Sequence, residues 1–188
     1  MKQTILLFCS MSLLLSCTNT GDNTAKEKDS SSNMGEGKMA DNETKMDYAY
    51  TIEHPDQWEW GSKDNSKMVL QSLKAWENGD FDAAVKNFSD TVQLNFDGFE
   101  GNLSRDSTKA MFTNERKNYK AVQILMEDFE SVKSKDTKTE YVSLWYKQKI
   151  QDQKGNWDSL SVMDDVRIKD GKIAEIDEKV RHFPKKKM

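Results

Sequence analysis

The chain has 188 residues, with 32 acidic and 28 basic side chains and a formal net charge of -4 at pH 7. This mildly acidic balance argues against a nucleic-acid-binding protein, which needs a basic face. The two histidines, His54 and His182, lie far apart in sequence and have no partner at the spacing of zinc ligands. We therefore expect no nucleic-acid partner, no metal site and no bound cofactor.

The N-terminus carries a short export signal. Lys2 supplies a positive charge, residues 5–15 form an apolar run too short to span a bilayer, and Ser16 precedes Cys17. This order resembles the lipobox of bacterial lipoproteins. It implies a signal peptide over 1–16, cleavage before Cys17 and lipid on Cys17. The alternative is an ordinary secretory signal that contains a cysteine.

A lipid on Cys17 would attach the protein to a membrane of the bacterial cell envelope, at the outer membrane or in the periplasm. Loss of Lys2 with the signal moves the net charge from -4 to -5 (-4 minus 1), and lipidation leaves no free thiol. The exported protein then has no cysteine for a disulfide, so a packed core must provide its stability.

The lipidated cysteine begins a tether over 17–47 that is polar and lacks aromatic residues. Such a segment cannot bury enough apolar surface to fold, and it serves as a spacer. Large aromatic residues then mark a strap over 48–61. We expect this strap to pack on the domain, and an aromatic lip for a ligand is the alternative. One domain covers 62–184, and 185–188 form a short basic tail.

Three helices are predicted in the first half of the domain. Apolar residues at helical spacing predict a helix over 66–78. Asp80 can cap a second short helix, and Ser104 or Ser107 can cap a third that reaches about Tyr119.

Alternating apolar and polar residues predict antiparallel strands, separated by turn signals such as Asp97-Gly98. The predicted strands cover 91–96, 122–133, 139–150, 157–168 and 173–180. Helices followed by a meander of long strands indicate an α+β fold, with the helices on one face of a curved antiparallel sheet.

Two stretches carry a family resemblance. The sequence from Ala75 to Ala84, with its Gly-Asp-Phe-Asp helix junction, is followed by a predicted strand, and a hairpin runs from Val166 to Ile173. Together they resemble the nuclear-transport-factor-2-like superfamily, which includes SnoaL-like polyketide cyclases and ketosteroid isomerases. The resemblance implies a cone-shaped, cystatin-like α+β barrel that wraps the helices, a pocket at the open end, and a homodimer formed through the sheet. Function varies widely within this fold.

The catalytic residues of ketosteroid isomerases can be compared position by position. The helix tyrosine of that family falls on Ser72 and its base falls on Phe96, and neither side chain can do the work. Its late aspartic acid falls on Asp164, which matches and lies on an otherwise apolar strand face. Desolvation there would raise the pKa of Asp164. The alternative role for Asp164 is an ion pair with a nearby Arg or Lys.

A second acid would be needed for catalysis, and Asp97 and Glu100 are the candidates. Strand alternation directs Asp97 away from the face that carries Phe96, and the Asp97-Gly98 turn is its more typical role. Asp164 and Asp97 are thus weak catalytic candidates. The expected pocket is lined by Ser72, Trp76, Phe96, Tyr146, Val162 and Asp164.

We expect a lipid-anchored domain that binds a small apolar ligand or a partner protein without catalysis, because the tyrosine and the base are missing. Two alternatives stay open: a SnoaL-like isomerase, cyclase or hydrolase that uses Asp164, and a structural dimerisation module with a filled pocket. An open cavity with Asp164 and a second acid would favour the enzyme.

Overall fold

The computed structural model describes residues 47–53 and 57–183. The predicted signal peptide (1–16), Cys17, the rest of the tether up to residue 46, and the basic tail (185–188) lie outside these residues. Within the described ranges, no helix is both long enough and apolar enough to cross a bilayer.

Three helices are present in the described residues, and each begins at a hydrogen-bonding cap. The helices are α1 (Lys63–Asn78), α2 (Phe81–Val85) and α3 (Arg105–Arg116). The side chains of Ser62, Asp80 and Ser104 accept backbone N–H bonds in the first turns of α1, α2 and α3 respectively. Helix α1 ends at Gly79, whose φ of 79° is the left-handed conformation that glycine adopts without strain. The predicted caps Asp80 and Ser104 are confirmed.

In the part of the chain that the structure describes, seven strands form one curved, unclosed sheet. They are β1 (Trp58–Trp60), β2 (Phe88–Phe96), β3 (Phe99–Ser104), β4 (Tyr119–Ser134), β5 (Glu140–Asp152), β6 (Trp157–Lys169) and β7 (Lys172–His182). Their order across the sheet is β1-β4-β5-β6-β7-β2-β3. All neighbours pair antiparallel except β2 and β7, which are parallel. The predicted α+β fold with a curved antiparallel sheet is confirmed.

Strand β3 is absent from the sequence-based prediction. It pairs with β2 through a tight hairpin at Asp97 and Gly98, from Phe96 opposite Phe99 to Thr91 opposite Ser104. Its sequence, FEGNLS, contains glycine and asparagine, which are rare in strands. The backbone hydrogen bonds to β2 therefore stabilise β3, although the sequence of β3 has only a weak preference for a strand.

Among the described residues of the aromatic strap, β1 is a short strand at the edge of the sheet, where it pairs with β4 alone. Trp58 packs edge-on against Tyr141, with ring centroids 6.1 Å apart. The side chain of Trp60 is 82% exposed, and Tyr50 is exposed as well. The prediction that the strap packs on the domain is therefore wrong for Trp60 and Tyr50.

The core lies between the helices and the concave face of the sheet. Alternate residues of β5 and β6 point into it, including Leu144, Tyr146, Val162 and Val166. Asp164 occurs in the same alternation, between Val162 and Val166. The two-residue period of the strand therefore places a charged residue type inside an apolar layer.

Candidate functional site

A cavity of about 330 Å³ lies between α1, α3 and the concave face of the sheet. Buried apolar side chains from both layers surround its inner end, among them Val69, Phe88 and Ile173. We call its outer end the mouth, which is formed by the exposed residues Asp97, Phe99 and Glu115. The cavity is therefore open to solvent. An open cavity does not fit the alternative of a structural dimerisation module with a filled pocket.

Asp164 and Tyr146 form a buried hydrogen-bonded pair at the inner end. Tyr146 donates its hydroxyl proton to Asp164 Oδ2 across 2.9 Å, and the side chains are 1% and 6% exposed respectively. The other carboxyl oxygen, Asp164 Oδ1, has no hydrogen-bond partner among the described residues. A buried polar atom without a hydrogen-bond partner is energetically costly. Asp164 Oδ1 is therefore available to form a hydrogen bond with a bound molecule.

The environment of Asp164 favours its neutral form. Its pKa is raised from 3.8 to about 8; burial is the main cause, the charge of Glu178 adds to it, and the Tyr146 hydrogen bond opposes it. The pKa of Tyr146 is also well above its ordinary value, mainly because of burial, so its hydroxyl keeps its proton. At neutral pH the pair therefore holds a protonated carboxyl group whose Oδ1 can donate a hydrogen bond.

Strand register explains why these groups meet. Asp164 lies opposite Leu144 in the β5–β6 pairing, and Tyr146 lies opposite the next inward residue of β6, Val162. Tyr146 and Asp164 are thus diagonal neighbours on one face, within reach of a long side chain. On its other side, Asp164 lies opposite Glu178 of β7.

Glu178 supplies a second acid to the cavity. Its pKa is raised from 4.5 to about 7, mainly by burial and in addition by the negative charges of Asp97 and Glu115. Both carboxyl groups therefore have pKa values raised toward neutral pH. Acids with pKa values near the working pH are typical of acid–base sites.

Helix α3 and the start of β4 complete the mouth. Tyr119 donates a hydrogen bond to Glu115 Oε1 across 2.6 Å, and burial together with this carboxylate raises the Tyr119 pKa to about 12. The cavity is lined by four carboxyl groups, and within the described part of the chain no Lys or Arg lines it. Lys179 turns to the other face of the sheet, where it binds Asp177 at 2.8 Å.

Most of the residues predicted to line the pocket lie along this cavity, namely Ser72, Trp76, Phe96, Tyr146 and Asp164. Val162 does not; it is buried in the core beside the cavity. The Ser72 hydroxyl donates to the Ala84 carbonyl oxygen at 2.6 Å, so it is engaged in linking α1 to α2.

The two candidate second acids, Asp97 and Glu100, differ in their position relative to the cavity. Asp97 lies in the turn with Gly98, as predicted, yet it also lines the cavity together with Phe96. Strand alternation predicted that Asp97 points away from the face that carries Phe96. This rule does not apply, because β2 ends at Phe96 and Asp97 belongs to the turn that follows it. Glu100 is exposed on β3 and does not line the cavity.

Sequence reasoning missed Glu178, Glu115 and Tyr119. Glu178 alternates with Ile176 and Val180 along β7, so strand parity alone could have placed it beside Asp164. No local signal identifies Glu115, because it occurs near the end of a helix with several other charged residues.

Solved structures share this arrangement of helices and curved sheet. An NTF2-like protein from Anabaena variabilis superposes with a TM-score of 0.54 at 15% identity, over 66% of this chain and 96% of its own. An NTF2-like protein from Burkholderia pseudomallei gives a TM-score of 0.52 at 12% identity, over 64% of this chain and 92% of its own. The chain has the nuclear-transport-factor-2-like fold.

The nuclear-transport-factor-2-like fold also occurs in enzymes. An LEH-like epoxide hydrolase from M. tuberculosis superposes with a TM-score of 0.51 at 14% identity, over 64% of this chain and 84% of its own. At such low identity the similarity concerns the fold and leaves the chemistry to the site. No protein-family model and no curated protein matches the sequence.

Proposed function

We propose that the cavity is an acid–base catalytic site for a small, largely apolar molecule that carries an oxygen function. The observation that supports this most strongly is the pair Asp164 and Glu178, two acids with raised pKa values that lie opposite each other on neighbouring strands and line one largely apolar cavity. This reaction class belongs to the SnoaL-like isomerases, cyclases and hydrolases rather than to pure binding proteins.

The proposed chemistry is proton abstraction next to a carbonyl group. Glu178, as the carboxylate, takes a proton from the carbon, and the electron pair of the broken C–H bond moves toward the carbonyl oxygen. Asp164 stabilises the developing negative charge by donating a hydrogen bond from Oδ1. Return of the proton from Glu178 to another carbon completes an isomerisation.

Tyr146 acts here as a positioning residue. Its hydroxyl binds Asp164 Oδ2, so it holds the carboxyl group with Oδ1 free. The surrounding apolar side chains exclude water, which strengthens every hydrogen bond to the substrate oxygen. The base differs from that of ketosteroid isomerases, since Phe96 occupies their base position and Glu178 lies on the last strand.

Binding without catalysis is the second candidate. It is favoured by Ser72, whose hydroxyl is engaged by Ala84 and so supplies no second donor to a substrate oxygen. In this case Asp164 would anchor a ligand, and Glu178 would take no proton from it.

Deuterium exchange into 2-tetralone, an apolar ketone, separates these functions. The full chain is incubated with the ketone in D₂O, and incorporation at the α-carbons is followed by mass spectrometry. We expect exchange well above the buffer rate, with a loss of about 100-fold for Glu178→Gln and for Asp164→Asn. Glu100→Gln, an exposed acid outside the cavity, is the matched control. Exchange at the buffer rate, while NMR shifts show the ketone bound, would overturn the enzyme and favour the binding protein.

We also propose that the mature protein is attached to the bacterial cell envelope through lipid on Cys17. The support is the sequence alone: the positive charge at Lys2, the apolar run and Ser16 before Cys17. Cells grown with an alkyne fatty acid should label the wild-type chain and the Cys9→Ala variant. The Cys17→Ala variant should remain unlabelled, and labelling of that variant would contradict the proposal.

A further inference from the structure

We infer that the natural ligand of this cavity carries an organic cationic group, a protonated or quaternary amine, which lies at the mouth, while a largely apolar body with one hydrogen-bonding group fills the inner end. This inference rests on the proposed function to the extent that both concern the same cavity. It adds the charge of the substrate, which the acid–base chemistry by itself does not specify.

The first support is a charge imbalance along the cavity wall. Asp97 and Glu115 stand at the mouth, and Asp164 and Glu178 lie deeper. Within the described part of the chain, no Lys or Arg side chain lines this wall to neutralise them. The carboxylates at the mouth, Asp97 and Glu115, lose solvent when a ligand binds and then need a compensating positive charge, which a cationic ligand supplies.

The second support is the unpartnered oxygen of Asp164. Its side chain is 6% exposed, it lines the cavity, and its Oδ1 has no hydrogen-bond partner among the described residues. Buried polar atoms in folded proteins are almost always satisfied. This atom therefore indicates that a polar group of a ligand reaches the inner end, and that the cavity is a binding site rather than a packing defect.

The third support is the aromatic lining near the acids. The rings of Trp76, Phe99 and Tyr119 line the cavity together with Glu115. Aromatic faces attract ammonium groups, and they do so most strongly where water is excluded. Metal ions are a poorer match, since no three His, Cys, Asp or Glu side chains of the described ranges group as metal ligands.

A bound cation would also change the protonation of the cavity. Glu178 is faced by Asp97 and Glu115, and Asp164 is faced by Glu178 and Tyr146. Asp165 and Lys179 act on Asp164 more weakly, with opposite signs. A positive ligand at the mouth favours the ionised form of Glu178 in particular, because Glu178 is the acid that the mouth carboxylates Asp97 and Glu115 act on. Binding of the cation therefore releases protons and strengthens as the pH rises.

A pair of probes of equal shape and different charge tests the inference. Phenyltrimethylammonium and tert-butylbenzene differ mainly in the charged nitrogen, and benzenesulfonate supplies the opposite charge. Binding to the full chain is measured by NMR titration at about pH 6 and pH 8. We expect the cation to bind at least about tenfold more tightly than the neutral probe, with a larger ratio at the higher pH, and the anion to bind weakest.

Variants at the mouth locate the effect. Glu115→Gln and Asp97→Asn should each lower the ratio of cation to neutral affinity by about threefold or more, because each removes one charge near the bound nitrogen. Asn retains the turn-forming character that position 97 needs beside Gly98. Glu100→Gln, whose side chain lies outside the cavity, should leave the ratio unchanged.

Equal affinities for the cation and the neutral probe would overturn the inference, as would equal effects of Glu115→Gln and Glu100→Gln. The exchange of 2-tetralone, a neutral ketone, tests the proposed function independently. If deuterium exchanges into 2-tetralone but the cation binds no more tightly than the neutral probe, only the inference of a cationic ligand is overturned. If the cation binds more tightly but 2-tetralone does not exchange, only the proposed catalytic role is overturned.

Discussion

Asp164 lies directly opposite Glu178 in the antiparallel pairing of β6 with β7, and both side chains line the same cavity. Their pKa values, about 8 and about 7, lie within reach of neutral pH because burial disfavours both charges and each carboxylate meets further negative charge. Such a pair shares protons, so its titration steps belong to the two residues together.

The first prediction concerns the pH dependence of catalysis. The rate of ketone exchange should rise as Glu178 loses its proton near pH 7 and fall as Asp164 loses its proton near pH 8. The result is a narrow bell with apparent values that belong to the pair. Initial exchange rates in buffers of constant ionic strength provide the measurement. A rate that keeps rising at high pH would exclude Asp164 as the proton donor.

The second prediction concerns stability. The folded-state pKa values of Asp164 and Glu178 lie above their ordinary values of 3.8 and 4.5, so the folded protein binds more protons than the unfolded chain. This contribution is fully present below about pH 4 and is lost as the pH rises through the folded-state values. The free energy of unfolding should therefore fall by about 2 to 5 kcal/mol between about pH 5 and pH 9.

Asp164→Asn should remove most of this slope, and urea unfolding at a series of pH values measures it. Asp170→Asn is the control. Residue 170 is in a turn with a φ of 51°, a conformation that Asn also tolerates, and it is exposed. If both variants show the slope of the wild-type chain, Asp164 ionises in the folded protein as readily as in the unfolded chain.

The third prediction concerns the hydroxyl of Tyr146. Tyr146→Phe removes the hydrogen bond to Asp164 Oδ2, which leaves both carboxyl oxygens unpartnered and should cost about 1 to 3 kcal/mol. Because that hydrogen bond lowers the Asp164 pKa, its loss should raise the pKa above about 8. Carbon-13 NMR of the Asp164 carboxyl group follows the titration. The control is Tyr141→Phe on the same strand, and an unchanged Asp164 titration in Tyr146→Phe would contradict the positioning role.

The fourth prediction concerns the junction between the edge strand and α1. A Cβ atom at Gly61 would lie 2.0 Å from Ser131 Oγ and 2.9 Å from Glu140 Oε1. Glu140 Oε1 also accepts hydrogen bonds from the Ser62 backbone N–H at 2.6 Å and from Ser131 Oγ at 3.0 Å. Gly61→Ala should therefore displace this buried network and lower the free energy of unfolding by about 2 kcal/mol or more.

The matched control for this change is Gly101→Ala, where the nearest atom to a new Cβ is a ring carbon of Phe99 at 3.4 Å. Urea unfolding of the two variants should show a much larger loss for Gly61→Ala. Equal midpoints would mean that the network around Glu140 shifts at little cost.

Local sequence patterns specify most of the helices and strands of this protein. Alternation along β5 and β6 predicted two long strands and placed Tyr146 and Asp164 on inward faces, and Asp80 and Ser104 predicted helix caps. These features depend on neighbours within a few residues, so a single stretch of chain specifies them. Residues in the α1–α2 junction and the last hairpin further indicated the fold.

The acidic residues of the cavity are brought together by long-range packing. Glu178, Glu115 and Asp97 come from β7, α3 and the β2–β3 turn, and only the curvature of the sheet over the helices brings them to one opening. Strand β3 likewise forms because its backbone pairs with that of β2, although its own sequence has a weak preference for a strand. Such convergence depends on long-range packing and register, which the period of any one element does not encode.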